Sequence, residues 1–200
     1  MARSSCCWAV LVALFLLAGC GGGRAPGRSA PPAAPQAALP RIQVEPALDP
    51  AERRDRFCRA LARIIDAEPA AFAGLRAEPA GERTWEGAVV PLGLDSCRIE
   101  GDYRPGASYV CRGGAVAGGS PDLLLDGYRS LAADIDACLS QPIWYPHDWR
   151  RGDEFTFAGG ERQTVWRDGS TGLKSSVALK IEEDLAAKLW LLRLAVGPSL

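Results

Sequence analysis

The first 20 residues limit the structures that are open to the rest of the chain. One positive charge, Arg3, precedes an apolar run of 11 residues from Trp8 to Ala18. A helix that spans a bilayer needs about 20 such residues, so this run is too short to cross a membrane and is typical of an export signal. The sequence therefore predicts that the chain folds outside the cytoplasm, in a compartment where thiols are oxidised.

The run closes on Leu17-Ala18-Gly19-Cys20, which resembles the lipobox of bacterial lipoproteins. The resemblance implies cleavage before Cys20, a diacylglycerol thioether on its sulfur and an acyl group on the new amine, which together give a stable anchor. Gly21 stands where an Asp would resemble an inner-membrane retention cue, so the resemblance favours the outer membrane, with the domain in the periplasm. The alternative is an ordinary secretory signal cut after Ala18 or Gly19, with Cys20 incidental.

The chain divides into three segments on these grounds. Residues 1–19 are the predicted lipoprotein signal peptide, residues 20–48 the lipidated cysteine and its tether, and residues 49–200 a single folded domain. The tether is rich in Pro, Ala and Gly and has little to bury, so it is expected to be flexible. The 23 Lys and Arg against 24 Asp and Glu do not form the basic stripe of a nucleic-acid-binding protein. The expected partners are the membrane, through the lipid, and an envelope protein.

Four cysteines remain after the signal peptide and Cys20: Cys58, Cys97, Cys111 and Cys138. An even number in an oxidising compartment predicts two disulfides. Their spacings match neither a zinc ribbon nor a redox Cys-x-x-Cys pair, and one histidine in the chain excludes a multi-histidine metal site. We therefore expect neither a metal nor a cofactor.

The two central cysteines alternate with apolar residues, as in strands. Pairing Ile99 with Tyr109 in an antiparallel hairpin places Cys97 opposite Cys111, within disulfide reach. The other two cysteines, which lie in predicted helices, would then bond to each other. The alternative is that both strand cysteines face the helices and each bonds to one helical cysteine.

Two helices are predicted by their capping signals. Asp49-Pro50-Ala51-Glu52 starts the first, whose apolar stripe contains Phe57 and Leu61 and whose arginines lie mostly on the other side. Ser120-Pro121-Asp122 starts the second. The segments 61–67 and 131–137 match at five of seven positions, which suggests a duplicated helix-plus-strands unit of about 70 residues. The predicted class is α+β, an antiparallel sheet with two main helices packed on one face.

Two later strands alternate cleanly, Val177 to Ile181 and Trp190 to Val196. Pairing Ile181 with Trp190 brings their apolar faces together across a turn at Glu183 and Asp184. The glycine-rich run 113–119 lacks the spacing of a phosphate-binding loop and is interpreted as a flexible connection from a strand to the second helix.

Candidate chemistry is confined to residues 144–149. His147 would act as a general base oriented by Asp148, with Ser120 or Ser140 as the nucleophile. Against this, the chain has no Gly-x-Ser-x-Gly elbow, and neighbouring side chains on an extended segment usually point apart.

The same segment has two other interpretations. It could be an aromatic binding loop, or a proline-bent connector whose rings pack over the edge of the sheet. The candidate binding residues are Trp144, Tyr145, His147 and Trp149. The sequence therefore favours a lipid-anchored, non-catalytic binding or accessory module of the periplasm; the alternative is a hydrolase that acts on an envelope polymer through His147.

Overall fold

Two helices and one antiparallel sheet make up the part of the chain that the structure describes. The computed structural model describes residues 48–101, 106–144, 147–170 and 175–198. The described residues belong to a single compact unit. The predicted α+β class, with an antiparallel sheet and two helices, is confirmed. No helix within those ranges combines the length and the apolar character that a membrane span requires.

The helices begin at the capping signals that the sequence shows. Helix α1 (Pro50–Ala67) starts with proline, and the side chain of Asp49 accepts a hydrogen bond from the backbone N–H of Ala51, at 3.1 Å. Ser120 caps a 3-10 turn (Pro121–Leu124) before helix α2 (Leu125–Leu139). The second α-helix therefore begins four residues later than the cap predicts, because the first turn after proline is wound more tightly.

The strands form two meanders that meet in the middle of the sheet. In chain order the strands are β1 (Arg76–Gly81), β2 (Thr84–Gly87), β3 (Ser96–Gly101), β4 (Ala107–Ala117), β5 (Trp149–Arg151), β6 (Phe155–Thr156), β7 (Arg162–Asp168), β8 (Ser175–Asp184) and β9 (Leu189–Pro198). In the sheet they run β1, β2, β3, β4, β9, β8, β7, β5, and the short β6 also pairs with β7. The first meander follows α1, the second follows α2, and their last strands, β4 and β9, pair with each other.

The predicted register of the first hairpin is confirmed and that of the last is wrong by two residues. In the β3–β4 pair, Cys97 lies opposite Cys111. In the β8–β9 pair, Ile181 lies opposite Leu192 instead of Trp190. Glu183 and Asp184, which were predicted to form the turn, belong to β8 instead. The Asp184 carboxylate accepts hydrogen bonds from the backbone N–H groups of Ala186 and Ala187, which form the turn. A shift of two residues keeps each side chain on its face, so the apolar pattern alone cannot detect it.

Strand β4 also runs further than predicted. It continues through the first five residues of the glycine-rich run, with a bulge between Gly113 and Val116. Gly114 has φ +62°, a conformation that a residue without a Cβ adopts at little cost. The run is therefore mostly an irregular strand and only its end connects to α2.

One face of the sheet packs on both helices. The four cysteines form two bonded pairs, Cys97–Cys111 across the hairpin and Cys58–Cys138 between the helices. A second link joins the helices where the buried carboxylate of Asp134 accepts from Arg53 and Arg54, at 3.2 Å each. The core contains side chains from α1, α2 and the central strands, among them Leu61, Ile64, Ile99, Tyr109, Ile135, Leu179 and Leu194.

Candidate functional site

A cavity of about 560 Å³ lies between α2 and the outer strands of the second meander, β5 and β7. Strands β5 and β7 pair so that Trp149 lies opposite Asp168 and Arg151 opposite Trp166, which turns two indoles and a guanidinium toward the helix. We call this cavity the tryptophan cleft. It is lined by Ala133, Asp136, Ala137, Leu139, Ser140, Trp149, Arg151 and Trp166.

The charges in the cleft are bonded to each other. Asp136 accepts a hydrogen bond from the indole nitrogen of Trp166, at 2.7 Å, and it also forms an ion pair with Arg151. The Arg151 guanidinium in turn lies 5.6 Å from the centre of the Trp166 ring. Because each group holds the next, the wall of the cleft is preorganised. The indole nitrogen of Trp149 is buried and has no hydrogen-bond partner among the described residues.

A second network, at the end of β7, borders the cleft through Trp149. The imidazole Nδ1 of His147 lies 2.6 Å from the Asp168 carboxylate, whose side chain is fully buried. The same carboxylate accepts from the backbone N–H of Asp148 and from both the N–H and the hydroxyl of Ser170. The rings of His147 and Trp149 are 6.1 Å apart.

These contacts decide the charge of Asp168. Burial raises its pKa, but the hydrogen bonds from His147, Ser170 and Asp148 outweigh burial and bring the pKa to about 2. Asp168 is therefore ionised at neutral pH and can only accept hydrogen bonds, so Nδ1 of His147 must carry the proton that joins them. In the neutral imidazole this leaves Nε2 as the unprotonated nitrogen.

The alternative in which Asp148 orients His147 is wrong, as the geometry of an extended segment led us to expect. The Asp148 carboxylate bonds to Arg150, at 2.5 and 2.9 Å, because neighbouring side chains on an extended segment point apart. The two candidate nucleophiles bond elsewhere: Ser120 caps the turn before α2 and Ser140 donates to the Ala137 carbonyl.

The other predicted site residues have different surroundings. Trp144 is 5 % exposed, and its indole nitrogen donates to the Cys138 carbonyl at 2.6 Å, so it packs behind the end of α2. Its ring meets that of Trp149 edge to face, with centroids 6.4 Å apart. Of the aromatic segment, Trp149 is therefore the residue that lines the cleft, and His147 stands beside it. Tyr145 and Cys20 lie outside the described residues.

Sequence reasoning missed Asp168, Asp136 and Arg151. Asp168 is followed by Gly169 and Ser170, a combination that is typical of a turn in which a carboxylate accepts backbone N–H groups. That signal could have marked Asp168 as a fixed acceptor, but its partner becomes visible only through the pairing of β5 with β7. Within the described ranges, no three metal-ligating side chains cluster closely enough to hold a metal ion.

Comparisons with known proteins give one structural likeness. No family model and no curated protein matches the chain. The crystal structure of the Saccharomyces cerevisiae Ran-binding protein Mog1p is similar over 62 % of this chain and 77 % of that one, with 9 % sequence identity and a TM-score of 0.31. At that TM-score the likeness carries no information about the function of this chain.

Proposed function

We propose that this protein is a lipid-anchored module of the bacterial envelope that binds a ligand in the tryptophan cleft and does not transform it. The observation that carries the proposal is the cleft itself, a cavity of about 560 Å³ whose Asp136, Arg151 and Trp166 are locked together. Volumes between about 300 and 1,000 Å³ are usual for small-ligand sites, and rigid walls reduce the entropy lost on binding.

The composition of the cleft indicates what would bind. Trp149 supplies a flat apolar surface and the half-exposed Arg151 a cation, so a ligand with an apolar or sugar face and a hydrogen-bond acceptor fits both. The indole N–H of Trp149, which has no partner within the described part of the chain, adds a donor that a small tilt of the ring would present to that acceptor. An exposed segment of an envelope protein or a fragment of an envelope polymer has this chemistry.

The anchor is proposed from the residues that resemble a lipobox, which end in Cys20. A radioactive fatty acid supplied to cells should label the full chain and should not label a Cys20→Ser variant. Absence of label from the unaltered chain would overturn the anchor and leave the proposal for the cleft standing.

Binding at the cleft is tested by cross-linking the intact protein in its own envelope. Trp149→Ala should lower recovery of a defined cross-linked partner at least tenfold, because it removes the stacking surface. Trp85→Ala is the matched control, since Trp85 is also half-buried but lies on β2 in the first meander. Equal recovery with both variants would show that the partner is not bound in the cleft.

A second function, hydrolysis of an envelope polymer, is favoured by the pair His147 and Asp168. A buried carboxylate that stays ionised and holds Nδ1–H leaves Nε2 available as a general base. If the protein is a hydrolase, His147→Gln should abolish release of soluble fragments from purified envelope polymer, and Ser140→Ala should not. If partner molecules are recovered unchanged from the cleft and neither the unaltered chain nor the His147→Gln variant releases soluble fragments, the result would support binding without hydrolysis.

A further inference from the structure

Positive charge is concentrated on α1. Residues 48–200 contain 19 Lys and Arg against 23 Asp and Glu, a net charge of −4, yet five of those cations fall within eleven residues of the helix. Such concentration in an otherwise acidic domain creates a local positive potential. The five are Arg53, Arg54, Arg56, Arg59 and Arg63.

The five arginines divide into two groups. Arg53 and Arg54 bond to the buried Asp134 and stabilise the helix pair. The other three stand at i, i+3 and i+7, which places them on one side of the helix. They line a groove of about 390 Å³, which we call the arginine groove, together with Ala60, Ala88, Val89 and Val90.

The groove offers cationic groups to an external anion. Arg56 and Arg59 each pair with an acid one turn earlier on the helix, Glu52 and Asp55, but these exposed pairs are weak and exchange readily. Arg63 has no carboxylate within 4 Å among the described residues, and no acidic side chain lines the groove.

The opposite wall of the groove is held in place by Tyr109. Its hydroxyl accepts from the N–H of Val89 at 2.9 Å and donates to the Val89 carbonyl at 2.8 Å. This bond buries Val89 and leaves its neighbour Val90 outside, 44 % exposed, with Leu92 36 % exposed nearby. Val90 is thus presented beside three guanidinium groups, and Leu92 adds a second exposed apolar side chain two residues further along the chain.

We propose that the arginine groove and its apolar rim dock on the surface of a bilayer that contains anionic phospholipid. Guanidinium groups bind the phosphates, while Val90 and Leu92 enter the boundary between head groups and acyl chains. The docking geometry rests on the proposed anchor, because Pro50 follows Cys20 by 30 residues. Thirty residues reach at most about 100 Å, so an anchor at Cys20 would confine the groove to the neighbourhood of the bilayer.

The test uses residues 20–200 with Cys20→Ser, the mature chain without its lipid. The described part of the chain begins at residue 48, so removal of residues 1–19 takes nothing from it. The probe is sedimentation with vesicles of phosphatidylcholine containing about one third phosphatidylglycerol, with pure phosphatidylcholine as the neutral reference. Binding should require the anionic lipid and weaken as salt rises, because exposed charges are screened.

The decisive variant is Arg56→Gln/Arg59→Gln/Arg63→Gln. A cation near an anionic surface contributes about fivefold in partitioning, so loss of three should reduce binding about 100-fold. Val90→Ser/Leu92→Ser should reduce it several-fold through the apolar contact. The matched control neutralises three other arginines, one exposed and two half-buried, each of which pairs with a glutamate outside the groove: Arg98, Arg112 and Arg193.

The control triple should retain binding within about threefold of the unaltered chain. Equal loss in both triples would show unspecific attraction and would overturn the proposal, as would binding that does not depend on phosphatidylglycerol. Absence of binding to the anionic vesicles would also overturn it and would point to an acidic protein as the occupant of the groove. These readouts do not depend on acylation of Cys20, so failure of the docking and failure of the anchor are distinguishable.

Discussion

The two halves of the sheet share a topology but present different surface features. In each half a helix is followed by an antiparallel meander, and the halves meet where β4 pairs with β9. The first half carries the arginine groove, with exposed cations and an apolar rim. The second carries the tryptophan cleft, in which charged groups are bonded to each other. The proposals for the cleft and the groove would therefore give one scaffold a site that selects by charge and another that selects by shape.

The difference lies in how each site is fixed. The wall of the groove depends on one tyrosine hydroxyl that holds the backbone of Val89. The cleft and its neighbouring network depend on two carboxylates, Asp136 and Asp168, that each gather several donors. Loss of one group should therefore affect the two halves by different amounts and under different conditions.

The largest expected effect is on stability, and it compares removal of the disulfide that joins the two helices with removal of the one inside the first half. In the chain-entropy model, Cys58–Cys138 closes a loop of 80 residues and stabilises by about 4.5 kcal/mol, whereas Cys97–Cys111 closes 14 and stabilises by about 3 kcal/mol. Urea unfolding of Cys58→Ala/Cys138→Ala and of Cys97→Ala/Cys111→Ala measures both. A larger loss from the hairpin pair would show that strain or residual unfolded structure, and not loop length, controls these bridges.

A smaller effect compares two tyrosines that are fully buried, Tyr109 and Tyr128. Tyr109→Phe leaves the N–H and the carbonyl of Val89 without their partner and should cost about 2 kcal/mol. Tyr128→Phe in the second half removes one bond to the hydroxyl of Thr164 and should cost about 1 kcal/mol, because a hydroxyl can rotate to another acceptor.

The two tyrosines also differ in their consequence for binding. Tyr109→Phe should weaken sedimentation with anionic vesicles, since Val90 is no longer held outward, and Tyr128→Phe should leave it unchanged. Both substitutions are measured by the midpoint of urea unfolding at constant slope. Equal costs and equal vesicle binding would remove the special role given to the Tyr109 hydroxyl.

Local periodicity predicted the helices, the faces of the strands and the register of the β3–β4 hairpin. The start of α1 depends on neighbouring residues, Asp49 and Pro50, and the register of the hairpin depends on Cys97 and Cys111, which are 14 residues apart. Each prediction therefore uses residues that are close together in the sequence. The β8–β9 register failed because a shift of two residues preserves every face, and the carboxylate of Asp184 that decides the turn leaves no periodic signal.

The sites could not be predicted in the same way. His147 meets Asp168 across the β5–β7 pair, and Arg151 meets Asp136 from another element, so both contacts depend on tertiary arrangement. The arginines of α1 were visible as a polar face, but the groove exists only because Tyr109, on β4, holds the loop opposite them. Chemistry assembled from separate elements has no fixed spacing along a chain.

The smallest expected effect is an acid dependence that belongs to the second half. Because the pKa of Asp168 falls from 3.8 to about 2 on folding, the unfolded chain binds its proton first as the pH drops. The network contributes about 2 kcal/mol above pH 5, and about half of that is lost by pH 3. Asp168→Asn should therefore have a lower free energy of unfolding than the unaltered chain at pH 7, and this difference should be smaller by about 1 kcal/mol at pH 3. Urea unfolding of both proteins at each pH measures it. The control is Glu86→Gln, which alters an exposed ion pair of the first half; its difference in unfolding free energy from the unaltered chain should change by no more than about 0.5 kcal/mol over the same pH range. An equal change for the two variants would contradict the assignment of acid sensitivity to Asp168.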